Sequence, residues 1–458
     1  MPKRRLLQAL LPLAAALSLP GTATAATPHG FAPHQVVVKF AGARAAHSVA
    51  LPAGVGVRRA AAALGRSAAV AYAEPNYLAS ASAAEPPAAL YDPNDSGTLS
   101  LGAKAAAEGD RSGDWAFRQW SFLSPEGPAT PELPTSPGGI DVVGAWRNLI
   151  EAGRPGGEGI TVAVLDSGIA YRSHGGYLRS PDFAPWQFVH GRSYIGPGSL
   201  PLDLNGHGTH VAGTIAEQTE NGFALTGIAY RAKLMPLRVL NRFGVGYSNQ
   251  IAEAIRFAVD HRARVINMSL NFECGKRIRV VDEALRYAYA RGVVTVASAG
   301  NLQPATAGGA GTRACVSEPA TGPHVIAVSG TTEGGCLGRY ALTSTAIDLL
   351  APGGGEPRRG CPSVLSRPIY QVTLKPRAKD EFGIPGNYVG TSMAAAHVSG
   401  VAALMLAGRA LEPREPPKAR VDAVLRRLQE TARDLGLPVR RQGAGLIDAR
   451  LATEPVQP

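Results

Sequence analysis

The chain has 458 residues, of which 45% are hydrophobic and 18% charged. That is ordinary for a globular protein with a full core, and long enough for one large domain plus a small one. A net charge of +11 arises from arginines spread along the chain rather than gathered in a patch, which argues for a basic soluble surface and against a nucleic-acid partner.

Met1-Pro2-Lys3-Arg4-Arg5 is a basic stub, Leu6 to Leu19 a mostly apolar run, and Thr22-Ala23-Thr24-Ala25-Ala26 a small-residue exit. This layout predicts a secretory signal over residues 1–26, cut after Ala25 or Ala26. The apolar run is short for a bilayer span and no later stretch reaches the needed length, so a secreted protein, extracellular or periplasmic, with no membrane partner is expected. No cysteine stands near the cut to take a lipid. Gln35 to Phe40 reads as a strand, an Ala/Arg-rich helical stretch follows, and Val70 to Tyr77 reads as a further extended segment. Residues 81–135, rich in Ala, Ser, Gly, Asp and Pro, read as a linker and surface extension.

From about Gly159 the pattern changes. Ile160–Leu165, Lys233–Leu240, Val265–Leu270, Val293–Ser298 and His324–Ser329 are short Val/Ile-rich runs. Helical segments lie between them: His210–Gln218, Asn249–His261 behind a Ser248 cap, and Val280–Arg291. Such alternation predicts an α/β domain over residues 136–458, a doubly wound, mostly parallel sheet with helices on both faces. Chemistry in such sheets collects at the carboxyl ends of strands.

Three blocks carry that chemistry: Asp166 in TVAVLDSGIA, His207 in NGHGTHVAGTIA and Ser392 in GTSMAAAHVSG. A serine hydroxyl needs a base to take its proton, and the base needs an acid to orient it. Asp166 follows a strand run directly, and glycines flank His207 and leave its imidazole accessible. Ser392 opens the almost wholly apolar stretch Met393–Leu406, so it sits where a helix dipole and a backbone N–H meet a developing oxyanion. Asn301, in Ser298-Ala299-Gly300-Asn301 after a strand, can aim its amide at the same point. His207 and His210 lack the spacing of a helical zinc site.

With these blocks in place the chain resembles the secreted bacterial subtilisin-like serine proteases, the subtilases, from about Gln119 to Ala449, including the closing Gly443-Ala444-Gly445-Leu446-Ile447-Asp448-Ala449. The resemblance implies a serine endopeptidase that forms an acyl-enzyme, with Asp166 orienting the base, His207 as general base then acid, and Ser392 as nucleophile. It implies an oxyanion hole from Asn301 and the Ser392 N–H, and Ser269, Leu270, Asn271 and Gly300 lining the substrate cleft. It marks residues 27–80 as a small α+β inhibitory prodomain, removed by the enzyme itself, so that peptides and its own prodomain are the partners of a monomer. Loops like the one around Asn221, with an aspartate like Asp182, hold a structural calcium in similar proteins; the chemistry itself needs no cofactor. Two positions depart from the pattern: Ala396 replaces a proline, and Asn271 replaces a glycine at the rim of the pocket for the acyl-side residue (P1). An apolar or aromatic P1 residue is expected, with very large groups disfavoured by Asn271. A catalytically dead peptide binder would lack one of these residues. A processing protease for basic sites would need acidic residues at the pocket, and Ser298-Ala299-Gly300-Asn301-Leu302 has none.

The four cysteines, Cys274, Cys315, Cys336 and Cys361, have no C-x-x-C pair, and export favours disulfides. Cys274 follows the cleft strand ending near Leu270, and Cys315 follows the Asn301 loop on an expected neighbouring strand. Cys274–Cys315 and Cys336–Cys361 are the predicted bonds.

Overall fold

Short β-branched runs supply the strands of the main sheet. The computed structural model describes residues 30–52, 54–81, 115–127, 133–196, 198–219, 221, 223–302, 315–412 and 415–456. The predicted signal segment therefore lies outside the described residues. In chain order, the small N-terminal unit holds β1 (Phe31–Phe40), β2 (His47–Ala50), α1 (Val57–Leu64) and β3 (Val70–Ala81). The larger unit holds α2 (Val142–Glu151), β4 (Thr161–Asp166), β5 (Arg192–Ser193), α3 (His207–Ala216) and β6 (Lys233–Arg238). It continues with β7 (Val245–Tyr247), α4 (Ser248–Asp260), β8 (Val265–Met268), β9 (Leu270–Phe272), α5 (Arg279–Ala290) and β10 (Val294–Ser298). β11 (Val325–Thr331), β12 (Leu349–Pro352), α6 (Thr391–Ala407) and α7 (Pro417–Glu430) complete the frame.

The main sheet has the order β12-β11-β10-β8-β4-β6-β5, and every neighbouring pair is parallel. Its central strands are buried on both faces, as the continuous apolar runs require. α3 packs with α6 and α4 with α5, one pair on each face. α6 is apolar all round, and every residue from Thr391 to Met405 is buried. α4 instead shows one face: Ile251, Ala252, Ala254, Ile255 and Ala258 are buried while Glu253 and Asp260 look outward. The expected fold class is the observed one.

In the small unit, β1 pairs antiparallel with both β2 and β3. Phe31, Val36, Val38, Leu51, Val57 and Ala61 form its separate core. β3 is long because it serves two sheets. Its first half pairs with β1, and its last residues enter the larger unit between β7 and β9, again antiparallel.

Side chains of β3 also finish two helices of the larger unit. Glu74 accepts hydrogen bonds from Arg279 N and Val280 N at the start of α5, at 3.0 and 2.9 Å. Asn76 Oδ1 accepts from Asn249 N and from Ser248 Oγ at the start of α4. The expected Ser248 cap is thus corrected. Ser248 is already inside the helix and donates its hydroxyl to Asn76, so a residue 172 positions earlier meets the orphan N–H groups.

A second correction concerns the linker. Residues 115–127 belong to the larger unit, where Trp120, Phe122 and Leu123 are buried in its main core. Trp120 Nε1 donates to Pro368 O, and Gln119 exchanges two hydrogen bonds with the Thr226 backbone. A few aromatic residues in a polar, Gly-rich context carry no periodicity, so their burial was not legible there. The expected strand Val265–Leu270 is interrupted at Ser269, where β8 ends and β9 leaves the main sheet to pair with β3.

Candidate active site

Asp166 ends β4 and is fully buried. Its Oδ1 accepts from Ser167 N at 2.7 Å and lies 2.8 Å from His207 Nδ1. His207 begins α3, and the close approach of that helix to the Asp166 turn depends on glycine. A Cβ on Gly208 would lie 2.1 Å from Gly168 O and 3.1 Å from Asp166 Cβ. Burial acts to lower the His207 pKa, but the charge and hydrogen bond of Asp166 and the charge of Asp203 outweigh it, so the net shift is upward.

Asp203 was not singled out from the sequence, and it organises the loop around the imidazole. Its Oδ1 accepts from Ser167 Oγ, Asn205 N and Gly206 N, and its Oδ2 from Thr209 N and Thr209 Oγ1. Its place four residues before His207, in Asp203-Leu204-Asn205-Gly206, is a turn signal that could have found it.

Ser392 stands in the first turn of α6. Its hydroxyl donates to Ser269 O at 3.3 Å, and Ser269 Oγ donates back to Ser392 O at 2.9 Å. His207 Nε2 makes no hydrogen bond in this state, an open arrangement common before substrate arrives. Asn301 Oδ1 accepts from Thr391 N at 3.0 Å and Thr391 Oγ1 at 3.2 Å. The asparagine amide is thereby fixed against the residue that precedes Ser392.

The cleft lies where β8 and β10 diverge at their carboxyl ends. Ser269, Leu270 and Asn271 follow β8, Ser298 ends β10 with Ala299 and Gly300 after it, and Asn271 Nδ2 donates to Ser298 O across the gap. β3 occupies the groove beside them: Leu78 pairs with Tyr247, Ala79 with Phe272, Ser80 with Asn271 and Ala81 with Leu270. Both predicted disulfides are present, Cys274–Cys315 and, closing a loop after β11, Cys336–Cys361.

The structure also brings Asp182 and Asn221 together. Asn221 Nδ2 donates to Asp182 Oδ1 at 2.7 Å, and Leu225 N donates to Asp182 Oδ2 at 3.0 Å. Burial pushes the Asp182 pKa up to about 7, against those two donors. Among the described residues, the carboxyl oxygens of wholly buried Glu217 nearby make no hydrogen bond of good geometry. Burial and the charge of Asp182 raise its pKa well above the usual range, and the Val372 amide opposes them. Two buried acids with so little compensation are the kind of site a cation would relieve. Among the described residues no group of three or more His, Cys, Asp or Glu side chains is arranged to hold a metal. His210 turns away from the site, its Nε2 3.0 Å from Ile369 O and its ring stacked on Tyr388. Burial lowers its pKa to about 3, so it is a neutral core residue.

A buried aspartate–histidine pair at the end of a parallel strand and a serine in the first turn of a buried helix are the parts of a serine hydrolase of the doubly wound α/β class. The chain belongs to the subtilase family: the pattern described as "Subtilase family" matches residues 157–445. It is 31% identical over 324 residues to Subtilisin DY of Bacillus licheniformis, covering 70% of this chain and 99% of that protein. It is 34% identical to the Thermophilic serine proteinase of a Bacillus strain, covering 55% of this chain and 53% of that one. An Extracellular protease of Xanthomonas campestris is 32% identical, with 69% and 54% covered. The chain thus spans about half the length of these last two relatives. Among solved structures, a protease from Pseudoalteromonas arctica shares the fold with a TM-score of 0.53 and 30% identity, covering 69% of this chain and 94% of that one.

Proposed function

We propose that this subtilase is a secreted serine endopeptidase that matures by cutting off its own N-terminal unit. The observation that carries the reading is the buried Asp166–His207 contact of 2.8 Å, together with Asn301 fixed on Thr391, the residue before Ser392. In this scheme His207 Nε2 takes the proton of Ser392 Oγ as the oxygen attacks the peptide carbonyl. Asp166 holds the imidazolium, and the Ser392 N–H and the Asn301 amide receive the oxyanion. The proton then passes to the leaving amine, an acyl group remains on Ser392, and a water activated by His207 releases it.

Self-processing is supported by the seating of β3. Antiparallel pairing of Ser80 with Asn271 and Ala81 with Leu270 carries the chain toward Ser269, whose carbonyl accepts from Ser392 Oγ. Cleavage is predicted within residues 81–85. N-terminal sequencing of secreted wild-type protein tests this, with the Ser392→Ala chain expected to keep residues 27–81 attached. A Ser392→Ala preparation free of other proteases that still loses this segment would end the self-processing reading. A serine-reactive fluorophosphonate should label Ser392, and its failure to do so would sink the enzymatic one. Export rests on the N-terminal pattern. No helix among the described residues is long and apolar enough to cross a membrane.

A structural calcium beside Asp182 and Asn221 is part of the same proposal, supported by the two undercompensated acids there. Turning the Asn221 amide would present its oxygen, and the ion would offset the buried charge of Asp182 and Glu217. It supplies rigidity and takes no part in peptide hydrolysis.

A further inference from the structure

The side chain of Asn271 reaches across from the segment after β8 to the end of β10. Where β8 and β10 run side by side, Met268 pairs with Ala297. Past that point the walls part, and the wedge between them is open only if the side chains facing it are small. Asn271 Nδ2 donates to Ser298 O at 2.8 Å, and Ser298 Oγ donates to Asn271 Oδ1 at 3.4 Å. Both ends of the amide are therefore tied to the opposite wall. A Cβ on Gly300 would meet Asn271 Cγ and Nδ2 at 3.6 Å and Leu342 Cδ1 at 3.4 Å. The amide is thus in van der Waals range of the second wall, and buried Leu342 closes the other side.

We propose that the Asn271 amide, bridged to Ser298, closes the P1 pocket to all but small side chains, so that the enzyme cuts after alanine, serine or glycine. The inference rests on the peptidase reading above and narrows the expected apolar or aromatic P1 preference to small side chains. To enter, a phenylalanine or leucine side chain would have to displace the amide, break both bonds and leave polar groups of the two walls unpaired. Glycine at this position would leave the wedge open. The molecule's own occupant agrees: the strand seated in the groove reads Ala79-Ser80-Ala81, and the sequence continues Ser82-Ala83-Ala84. A pocket fitted to small residues and a processing segment made of them are the two halves of one specificity.

The test uses mature enzyme released from the full chain and tetrapeptide p-nitroanilides that differ only in the last residue: Gly, Ala, Ser, Leu or Phe. kcat/KM for Ala or Ser should exceed that for Phe by about 10-fold or more, the scale a closed or open apolar pocket commands. In Asn271→Gly the Phe-to-Ala ratio should rise by a similar factor, and Asn271→Ala gives the same reading if the glycine variant does not fold. A wild-type enzyme that prefers Phe or Leu, or a ratio that both variants leave in place, overturns the closed pocket while the peptidase reading stands. Absence of hydrolysis on every substrate, together with no probe labelling of Ser392, would instead overturn the peptidase reading itself.

Discussion

At the scale of single residues, Asp166 and His207 form a buried pair whose chemistry depends on charge being held where water cannot screen it. General-base catalysis needs the neutral imidazole. Because Asp166 and Asp203 raise the His207 pKa above the ordinary 6.5, the proton stays on to higher pH, and activity is lost as pH falls through that raised value. The acid limb of kcat/KM should therefore have its midpoint above 6.5. Asp166→Asn should move the midpoint down and lower kcat by on the order of 10⁴-fold, since the tautomer is then wrong. A pH profile of both proteins checks it, and an unmoved midpoint would remove Asp166 from its role. Ser392→Ala or His207→Ala should cost on the order of 10⁶-fold in kcat, the scale known for triad loss in a subtilisin. Under the proposed mechanism, in which its amide receives the oxyanion, Asn301→Ala should cost roughly 10²–10³-fold in kcat with KM little changed. A rise in KM alone would make Asn301 a binding residue.

At the scale of elements, the N-terminal unit contributes more than a strand in the groove. Glu74 and Asn76 cover the N-termini of α5 and α4, which otherwise expose orphan amides. Glu74→Ala or Asn76→Ala should each destabilise the unprocessed Ser392→Ala chain by about 1 kcal/mol, the usual worth of a cap. Urea unfolding of the unprocessed chain measures this, and protein without residues 27–81, as the proposed processing would leave it, supplies the baseline. No change in midpoint would mean that water replaces both caps at no cost. The core of α6 should be less forgiving. Leu404 is fully buried, and Leu404→Ala should cost about 2–5 kcal/mol through lost transfer energy and a residual cavity. A loss below 1 kcal/mol would show that the surroundings collapse into the space.

For the whole molecule, a peptidase of the proposed kind has to be stable against its own activity. The two disulfides link residues 41 and 25 positions apart. In the chain-entropy account each would stabilise by about 3–4 kcal/mol, so Cys336→Ser/Cys361→Ser should shorten the half-life of active enzyme at elevated temperature. Chelation offers a second test at this scale. If calcium offsets the buried charge of Asp182 and Glu217, EDTA should lower the Tm of Ser392→Ala protein and added calcium should restore it. Asp182→Asn should abolish the response, and a Tm indifferent to both additions would remove the ion from the proposal.

Several features were decided by the sequence alone. Asp166, His207, Ser392 and Asn301 stood out as candidates because each sits in a local block, at a strand end or helix start, whose glycines and small neighbours have few other uses. The parallel sheet was legible because strands buried on both faces must be continuously apolar, and the helices because a one-sided stripe has a period. The cysteine pairing followed from strand adjacency. The remaining features depended on tertiary structure, since they join residues with no local signature. Trp120 and Phe122 find their core among distant strands, and Asp203 gathers five donors from a loop that reads as an ordinary turn. The cap of α4 comes from Asn76 and not Ser248, since a helix end takes whichever acceptor the packed chain delivers. The sequence marked Asn271 as a departure from glycine, but a side-chain amide has rotamers open to it. Only the tertiary structure determines that it reaches across the diverging strands to Ser298 instead of out to solvent.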